Sequence, residues 1–347
     1  MTSAPSLRRL GDVGAHAPDA TWWTDVDHDA MLLIYAANPE QIAELVAELI
    51  AGVELVGQQD LHLPFGGREP FGFVDGIANI RIPRADQAES SDLPVGEVLL
   101  GHLDATGATR EPGPLGQHGS LVVVRQLEQD VARFWSFWIE LGGSAADAIH
   151  LAAKAMGRWP NGMPCKPDQT RQPPAREQDL EWTSFLDDPL GHGCPYGAHV
   201  RRANPRDTLV EDAELSRKIC AQHLLLRRGR VYGPPAPPAW YPEPLRAELP
   251  SAGSDAGPRG LMFIALCSDL RRQFEFVMQN WLIASKHADL FCEIDPILAH
   301  EGTTELTIPG QAFSRHMLRV GGWVRPRGGG YYLMPARDAL IEFAHTS

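Results

Sequence analysis

No run of about 18 apolar residues occurs anywhere in this chain, which argues against a membrane-spanning helix. Cysteine is scarce. There are five, Cys165, Cys194, Cys220, Cys267 and Cys292, and none sits at Cys-x-x-Cys spacing. Zinc ribbons and a disulfide framework are therefore disfavoured, and reduced thiols in a cytoplasmic compartment are the expectation. Positive charge is in deficit: 31 Lys and Arg stand against 44 Asp and Glu, a net charge of −13. Such a surface repels a phosphate backbone, so no nucleic-acid partner is expected. A Gly-x-Gly-x-x-Gly motif after a strand is also missing, which disfavours a dinucleotide-dependent oxidoreductase. The first residues lack the apolar core of a secretory signal, and the last carry no lipidation or retention signal. No short repeat or low-complexity tract is visible.

Glycine and proline, by contrast, are plentiful, 33 and 29 in 347 residues, and predict long structured loops between elements. Met31 to Ala37 is a continuous apolar run that reads as a buried strand. Asn38 and Pro39 read as an N-cap and first helical residue. Ile42, Leu45, Val46, Leu49 and Ile50 follow at helical spacing, with Gly52 as the stop. Val53 to Val56 reads as a second strand. Leu121 to Val124 is a β-branched strand, followed by a helix marked by Val131, Phe134, Trp135, Trp138 and Leu141 and another over Ala145 to Met156. Ala213 to Leu226 holds a short helix and the start of a strand. Gly260 to Leu266 is a buried strand, Leu270 to Trp281 a helix, and Tyr331 to Met334 a closing strand. This grammar fits an α+β fold with an antiparallel sheet. The loop from Ala105 to Gly119 marks a boundary between residues 1–118 and 119–347.

Three segments carry chemistry. In Gly72-Phe73-Val74-Asp75-Gly76 two glycines permit a tight turn that projects a carboxylate, although an Asp that only caps a turn has the same signature. In Cys194 to Arg206, His199 stands beside the small residues Gly197 and Ala198 and before Arg201, Arg202 and Arg206. Arginines there suit the anionic groups of a flat cofactor. An axial His also needs a partner on its other ring nitrogen. In Arg227-Arg228-Gly229-Arg230-Val231-Tyr232-Gly233 one Arg could point inward to stabilise developing negative charge, or the run could be a basic strand edge.

Taken together and in this order, the three segments resemble the dye-decolourising (DyP-type) peroxidases, whose Gly-x-x-Asp-Gly motif corresponds to Gly72 to Gly76. Arg8 to Gly14, Gly157 to Pro160, Gln273 to Phe276 and Tyr331 to Pro335 extend the resemblance from about Leu7 to the C-terminus. It implies an α+β fold of two ferredoxin-like domains. The N-terminal one spans 1–118, carries the Gly-x-x-Asp-Gly motif and is incomplete, because the usual leading segment is missing. The C-terminal one spans 119–347 and binds haem b. It implies that His199 is the proximal iron ligand, Asp75 the distal acid–base and Arg227 the distal charge stabiliser. Asn204 lies near the proximal side, Glu275 is the expected carboxylate behind His199, Leu225 and Phe263 line the distal apolar pocket, and Arg202 pairs with a haem propionate. Hydrogen peroxide and a dye or other small one-electron donor are the implied partners, with no membrane partner. A homo-oligomer is compatible with the sequence. Haem or iron handling without turnover, or an inactive remnant, are the alternatives.

Overall fold

The computed structural model describes residues 10–14, 17–19, 28–77, 80, 93–167, 172–175, 184–249, 251–300, 304–310 and 315–346. Arg8 and Arg9 of the N-terminal match lie outside these residues. Among the described residues no helix is long and apolar enough to cross a membrane.

One antiparallel sheet organises the chain. Strands β1 (Leu61–His62), β4 (Arg230–Tyr232), β5 (Gly260–Cys267), β2 (Ser120–Gln129) and β8 (Val324–Met334) follow one another in that order, and β3 (Leu226–Arg227) also pairs with β5. Strand β5 lies antiparallel between β2 and β4, which are joined through helices. This split strand–helix–strand unit, closed by β8 on the far side of β2, is the ferredoxin-like arrangement. Strands β6 (Thr304–Ile308) and β7 (Arg315–Val320) form a separate ribbon.

Helices α2 (Val131–Gly142) and α3 (Ala145–Met156) form where periodicity and caps agree. The Asp130 side chain accepts the Arg133 N–H, and Ser144 accepts that of Asp147, each satisfying a donor the first turn leaves open. Val131, Phe134, Trp135 and Trp138 bury one face of α2, joined in one core by Phe71, Phe73 and Trp323. The Phe71 ring stacks on Phe134, with centroids 4.2 Å apart. Thus the turn that carries Asp75 is seated on α2 by its own aromatics.

Four expected elements differ. Helix α1 (Pro39–Leu49) forms with Asn38 as its cap, but Met31–Ala37 and Val53–Val56 are not strands. A strand exists only where a neighbour takes up its backbone groups, and among the described residues no strand does so here. Leu32, Tyr35, Val53 and Leu55 are exposed, and α1 buries no residue. The helix after β5 is π-wound over Arg271–Glu275 and Val277–Leu282, with Glu275 N–H bonding Leu270 O at 2.8 Å, five residues back. The closing strand is longer than its apolar end, because β2 pairs with β8 through Gly328, Gly329 and Gly330 back to Val324.

A buried charge network ties the loop before β2 to the π-wound segment. Arg272 donates to Glu97 at 2.9 Å and to Asp104 at 3.2 Å, and to the carbonyl of Gln222. Glu97 is fully buried, and burial raises its pKa more than Arg272 lowers it. Removing the cation strands a carboxylate where water cannot reach it. Arg272→Ala is therefore expected to cost about 3–5 kcal/mol in urea unfolding. A loss under about 1 kcal/mol would mean the backbone donors alone hold Glu97 and Asp104.

Candidate haem-binding site

Helix α4 (His199–Ala203) begins on His199 itself. The chain leading into it is held from several sides. The Asp188 carboxylate accepts the N–H groups of Gly193 (3.0 Å) and Cys194 (2.7 Å). Arg201 donates to the carbonyls of Asp188 and Cys194, while its guanidinium lies 4.0 Å from the Tyr196 ring centroid. Gly157, with φ +93°, ends α3 where a Cβ would stand 2.9 Å from Cys194 Sγ and 3.1 Å from Val200 Cβ. Only glycine lets α3 press this closely on the His199 segment. A Cβ on Gly197 would meet a Glu293 oxygen at 2.8 Å, so the space that small residue leaves is filled by Glu293.

The imidazole of His199 has one ring nitrogen engaged. Its Nδ1 lies 2.7 Å from Oδ2 of Asp295, a fully buried carboxylate. The other oxygen of Asp295 accepts the N–H groups of Ile297 (2.9 Å) and Leu298 (3.0 Å), so the carboxylate cannot swing away. A carboxylate on Nδ1 fixes the ring's orientation and keeps a proton there. Nε2 has no protein partner among the described residues. Burial pulls the His199 pKa down, but the charge and hydrogen bond of Asp295 outweigh it, and the net shift is upward. Asp295 is held below the usual carboxylate range: burial opposes this, and His199 and then Arg202 overcome it.

His199 keeps 29% of its side chain accessible, although protein surrounds it closely enough to penalise its charged form. Arg227 behaves alike. It is exposed, yet burial is the main cause of its lowered pKa, with Asp75 opposing. Both groups are packed closely by protein and still keep surface that water can reach. Arg227 pairs in register with Ala265. Strand alternation puts Leu225, Arg227, Phe263 and Ala265 on one face of the sheet. That face carries the core of Phe274, Met278 and Trp281, and the π-wound segment there contacts α4.

The turn with Asp75 reaches Arg227 directly. Arg227 Nη2 donates to Ile77 O at 3.1 Å, two residues past Asp75. The turn is anchored throughout: Val74 N–H bonds Pro160 O, Asp75 N–H bonds Gly67 O, and Arg68 donates to Gly72 O. Gly72 (φ +93°) and Gly76 (φ +79°) are both left-handed, and a Cβ on Gly72 would stand 3.1 Å from Leu245. The Asp75 side chain is exposed, and its Oδ1 accepts the Gly76 N–H at 2.6 Å. His199, Asp75 and Arg227 are thus brought into mutual electrostatic range: Arg227 acts on His199, and Asp75 on Arg227.

Two expected site residues are placed elsewhere. Glu275 is not the carboxylate behind His199. It accepts a hydrogen bond from the Tyr331 hydroxyl at 3.2 Å, and Asp295 occupies the position expected of it. The Asp295-Pro296 pair, an acidic cap before a proline, was the available signal. Arg202 faces no open space. It is fully buried and donates to the carbonyls of Glu293 (3.2 Å) and Ala284 (2.6 Å), and its charge supports Asp295 instead of a propionate. Asn204 caps the end of α4 and accepts the Arg206 N–H at 3.2 Å. Leu225 and Phe263 pack against the Phe274 and Trp281 core.

Glu69 was missed altogether. Burial raises its pKa from 4.5 to about 7, with its hydrogen-bond donors opposing and Asp75 adding to the rise. A carboxyl with a raised folded pKa binds its proton more tightly folded than unfolded. Its contribution to stability is present below pH 4.5 and lost as pH rises through 7. Relative to Glu69→Gln, the wild-type chain should therefore lose thermal stability between those pH values. Melting curves that run parallel across this range would contradict it.

The fold is α+β with a ferredoxin-like antiparallel sheet, and the site holds a carboxylate-bound histidine that stays partly accessible. No family profile matches the chain. Curated relatives do. The chain is 28% identical over 302 residues to dye-decolorizing peroxidase msp1 of Mycetinis scorodonius, covering 79% of this chain and 56% of that protein. It is 30% identical over 277 residues to the multifunctional dye peroxidase DyP2 of Amycolatopsis sp., covering 73% and 56%. The chain thus spans about half the length of the curated relatives it matches. Among solved structures, a DyP-type peroxidase of Anabaena sp. superposes with TM-score 0.74 at 20% identity, over 98% of this chain and 73% of that one. A decolorizing peroxidase of Auricularia auricula-judae gives 0.68 at 24%, over 87% and 72%. Over most of its length the chain is thus similar to dye-decolourising (DyP-type) peroxidases.

Proposed function

We propose that this chain binds haem b through His199 and reduces hydrogen peroxide at the expense of a dye or other one-electron donor. The observation that carries the reading is the pairing of His199 Nδ1 with a fully buried Asp295 while Nε2 has no protein partner among the described residues and the ring stays accessible. An imidazole held in this way would suit a ligand to haem iron. The partly buried apolar residues Leu225 and Phe263, on the strand face that carries Arg227, would suit the flat face of a porphyrin.

When bound, haem supplies the redox chemistry: it accepts two oxidising equivalents from peroxide and passes them to donors one electron at a time. The chain's own residues do the rest. Asp75 takes the proton from one peroxide oxygen and delivers it to the departing one, so that water leaves. Its hydrogen bond from Gly76 occupies Oδ1 and leaves Oδ2 for the proton. Arg227 offers fixed positive charge where negative charge grows as the O–O bond breaks. Asp295 gives His199 a carboxylate partner that favours an electron-poor metal opposite. On this reading residues 1–118 contribute Asp75, and residues 119–347 contribute His199, Asp295 and Arg227.

The test is an absorption spectrum of protein expressed with haem supply, before and after peroxide, followed by steady dye oxidation. A Soret band that changes on adding peroxide, with sustained turnover, is the expected result. Absence of the band after reconstitution would refute haem binding. A band without turnover would refute the enzyme and leave haem handling.

A further inference from the structure

We propose that Glu69 is a positioning residue for the peroxide step: its carboxylate clamps the turn at Phe71 and Phe73 and so sets where Asp75 presents its side chain. The proposal rests on the role given to Asp75 above.

Glu69 bonds to the turn by four routes, one of them its carbonyl oxygen, which accepts the Gly72 N–H at 2.7 Å. Its Oε2 accepts the Phe71 N–H at 3.0 Å, and its Oε1 accepts the Phe73 N–H at 3.0 Å. Its own N–H donates to Phe73 O at 2.9 Å. Gln129, the last residue of β2, donates from Nε2 to Oε2 at 2.7 Å and ties the clamp to the sheet. Phe73 is therefore held through both its N–H and its carbonyl, two residues before Asp75. The remaining freedom between Phe73 and Asp75 is taken up by the bonds of Val74 to Pro160 O and of Asp75 to Gly67 O.

The chemistry of the position explains why a carboxylate stands there. Two backbone N–H groups and one side-chain amide, all donors, converge on it. Only a group with acceptors on both oxygens can satisfy all three; a Gln would turn an NH2 toward one of them. No cation is in ion-pair contact with Glu69 among the described residues, and its neighbour Arg68 pairs with Glu248. A half-buried carboxylate with no cation in ion-pair contact depends on its hydrogen bonds to offset the water it has lost. Phe71 and Phe73 are already anchored by stacking on Phe134 and Trp135, so burying the aromatics does not need it. The peptide planes between the rings are held on their carbonyl side by Trp135 Nε1 on Phe71 O and by Arg68 on Gly72 O, and the Glu69 carboxylate holds them on the N–H side; together these bonds aim Asp75.

The test uses the haem-loaded full chain as wild type, Glu69→Gln, Asp75→Asn and the double variant, with Glu69→Ala for hydrogen exchange. Glu69→Gln should slow the bimolecular reaction with peroxide about 10- to 100-fold, the scale of a misplacement near 1 Å. Haem content and Soret position should not change. In the Asp75→Asn background the same substitution should matter less than about twofold, because a residue that acts through Asp75 has nothing left to aim. Amide protection at Phe71 and Phe73 should fall in both Glu69 variants. A wild-type peroxide rate in Glu69→Gln would overturn the proposal, and so would an equal slowing with and without Asp75. If the wild-type protein binds haem but does not react with peroxide, the role of Asp75 fails, and positioning for that step fails with it. The clamp itself is judged separately: unchanged exchange in Glu69→Ala would overturn that too.

Discussion

Asp75→Asn is expected to lower the rate constant for reaction with hydrogen peroxide by about 10²–10⁴-fold, the usual contribution of a placed acid–base group, with haem still bound. The substitution is nearly isosteric. An amide oxygen can still accept the Gly76 N–H that Oδ1 accepts, so the turn keeps its shape. The left-handed Gly72 and Gly76 and the bonds to Pro160 and Gly67 do not involve the carboxylate. What disappears is the ability to take a proton and return it. Arg227 also loses a negative neighbour, which moves its pKa further down, but a guanidinium remains charged at any working pH. Charge stabilisation should therefore survive, and the loss should fall on proton transfer alone. Stopped-flow absorbance at the Soret band reads it directly. A slowing of less than tenfold would remove Asp75 from the proton path, and loss of haem would assign it a structural role.

The three motif segments were legible because each encodes its own local geometry. Gly72 and Gly76 are glycines because the turn is left-handed at both, and that need is written within five residues. Helices α2 and α3 were legible for the same reason, with caps and apolar faces contained in the element. The carboxylate behind His199 was not, because its partner lies 96 residues away and an acidic residue at 275 reads much like one at 295. What separates them is tertiary: Tyr331 takes Glu275 on the sheet side, while the Ile297 and Leu298 amides hold Asp295 beside the imidazole. Arg202 was misjudged in a similar way. A cluster of arginines advertises an anion, but charge alone does not say that Arg202 turns inward to the Glu293 and Ala284 carbonyls. The strands expected at Met31–Ala37 and Val53–Val56 failed for the complementary reason. Apolar composition states a tendency to be covered, and pairing requires a partner that only the assembled fold can supply.

The other large effect is expected at His199. His199→Ala should leave the protein without bound haem after gel filtration, as no other described side chain stands where His199 Nε2 does. The substitution also strips Asp295 of its partner. A fully buried carboxylate would then keep only the Ile297 and Leu298 amides and the nearby charge of Arg202, a loss of about 3–5 kcal/mol by the measure of broken buried pairs. Loss of haem could thus come from unfolding, and the two causes must be separated. His199→Ala combined with Asp295→Asn removes the stranded charge, so the double variant should unfold closer to wild type and still bind no haem. Asp295→Asn alone retains the imidazole but not its anionic partner. Metal affinity should then fall by about 10- to 100-fold, the usual effect of losing the group that orients a ligand. The order of haem retention should be wild type, then Asp295→Asn, then both His199 variants, while stability follows a different order. An unchanged Soret band in His199→Ala would show that iron is held elsewhere, and the assignments of Asp75 and Arg227 as the opposite wall would lose their reference point.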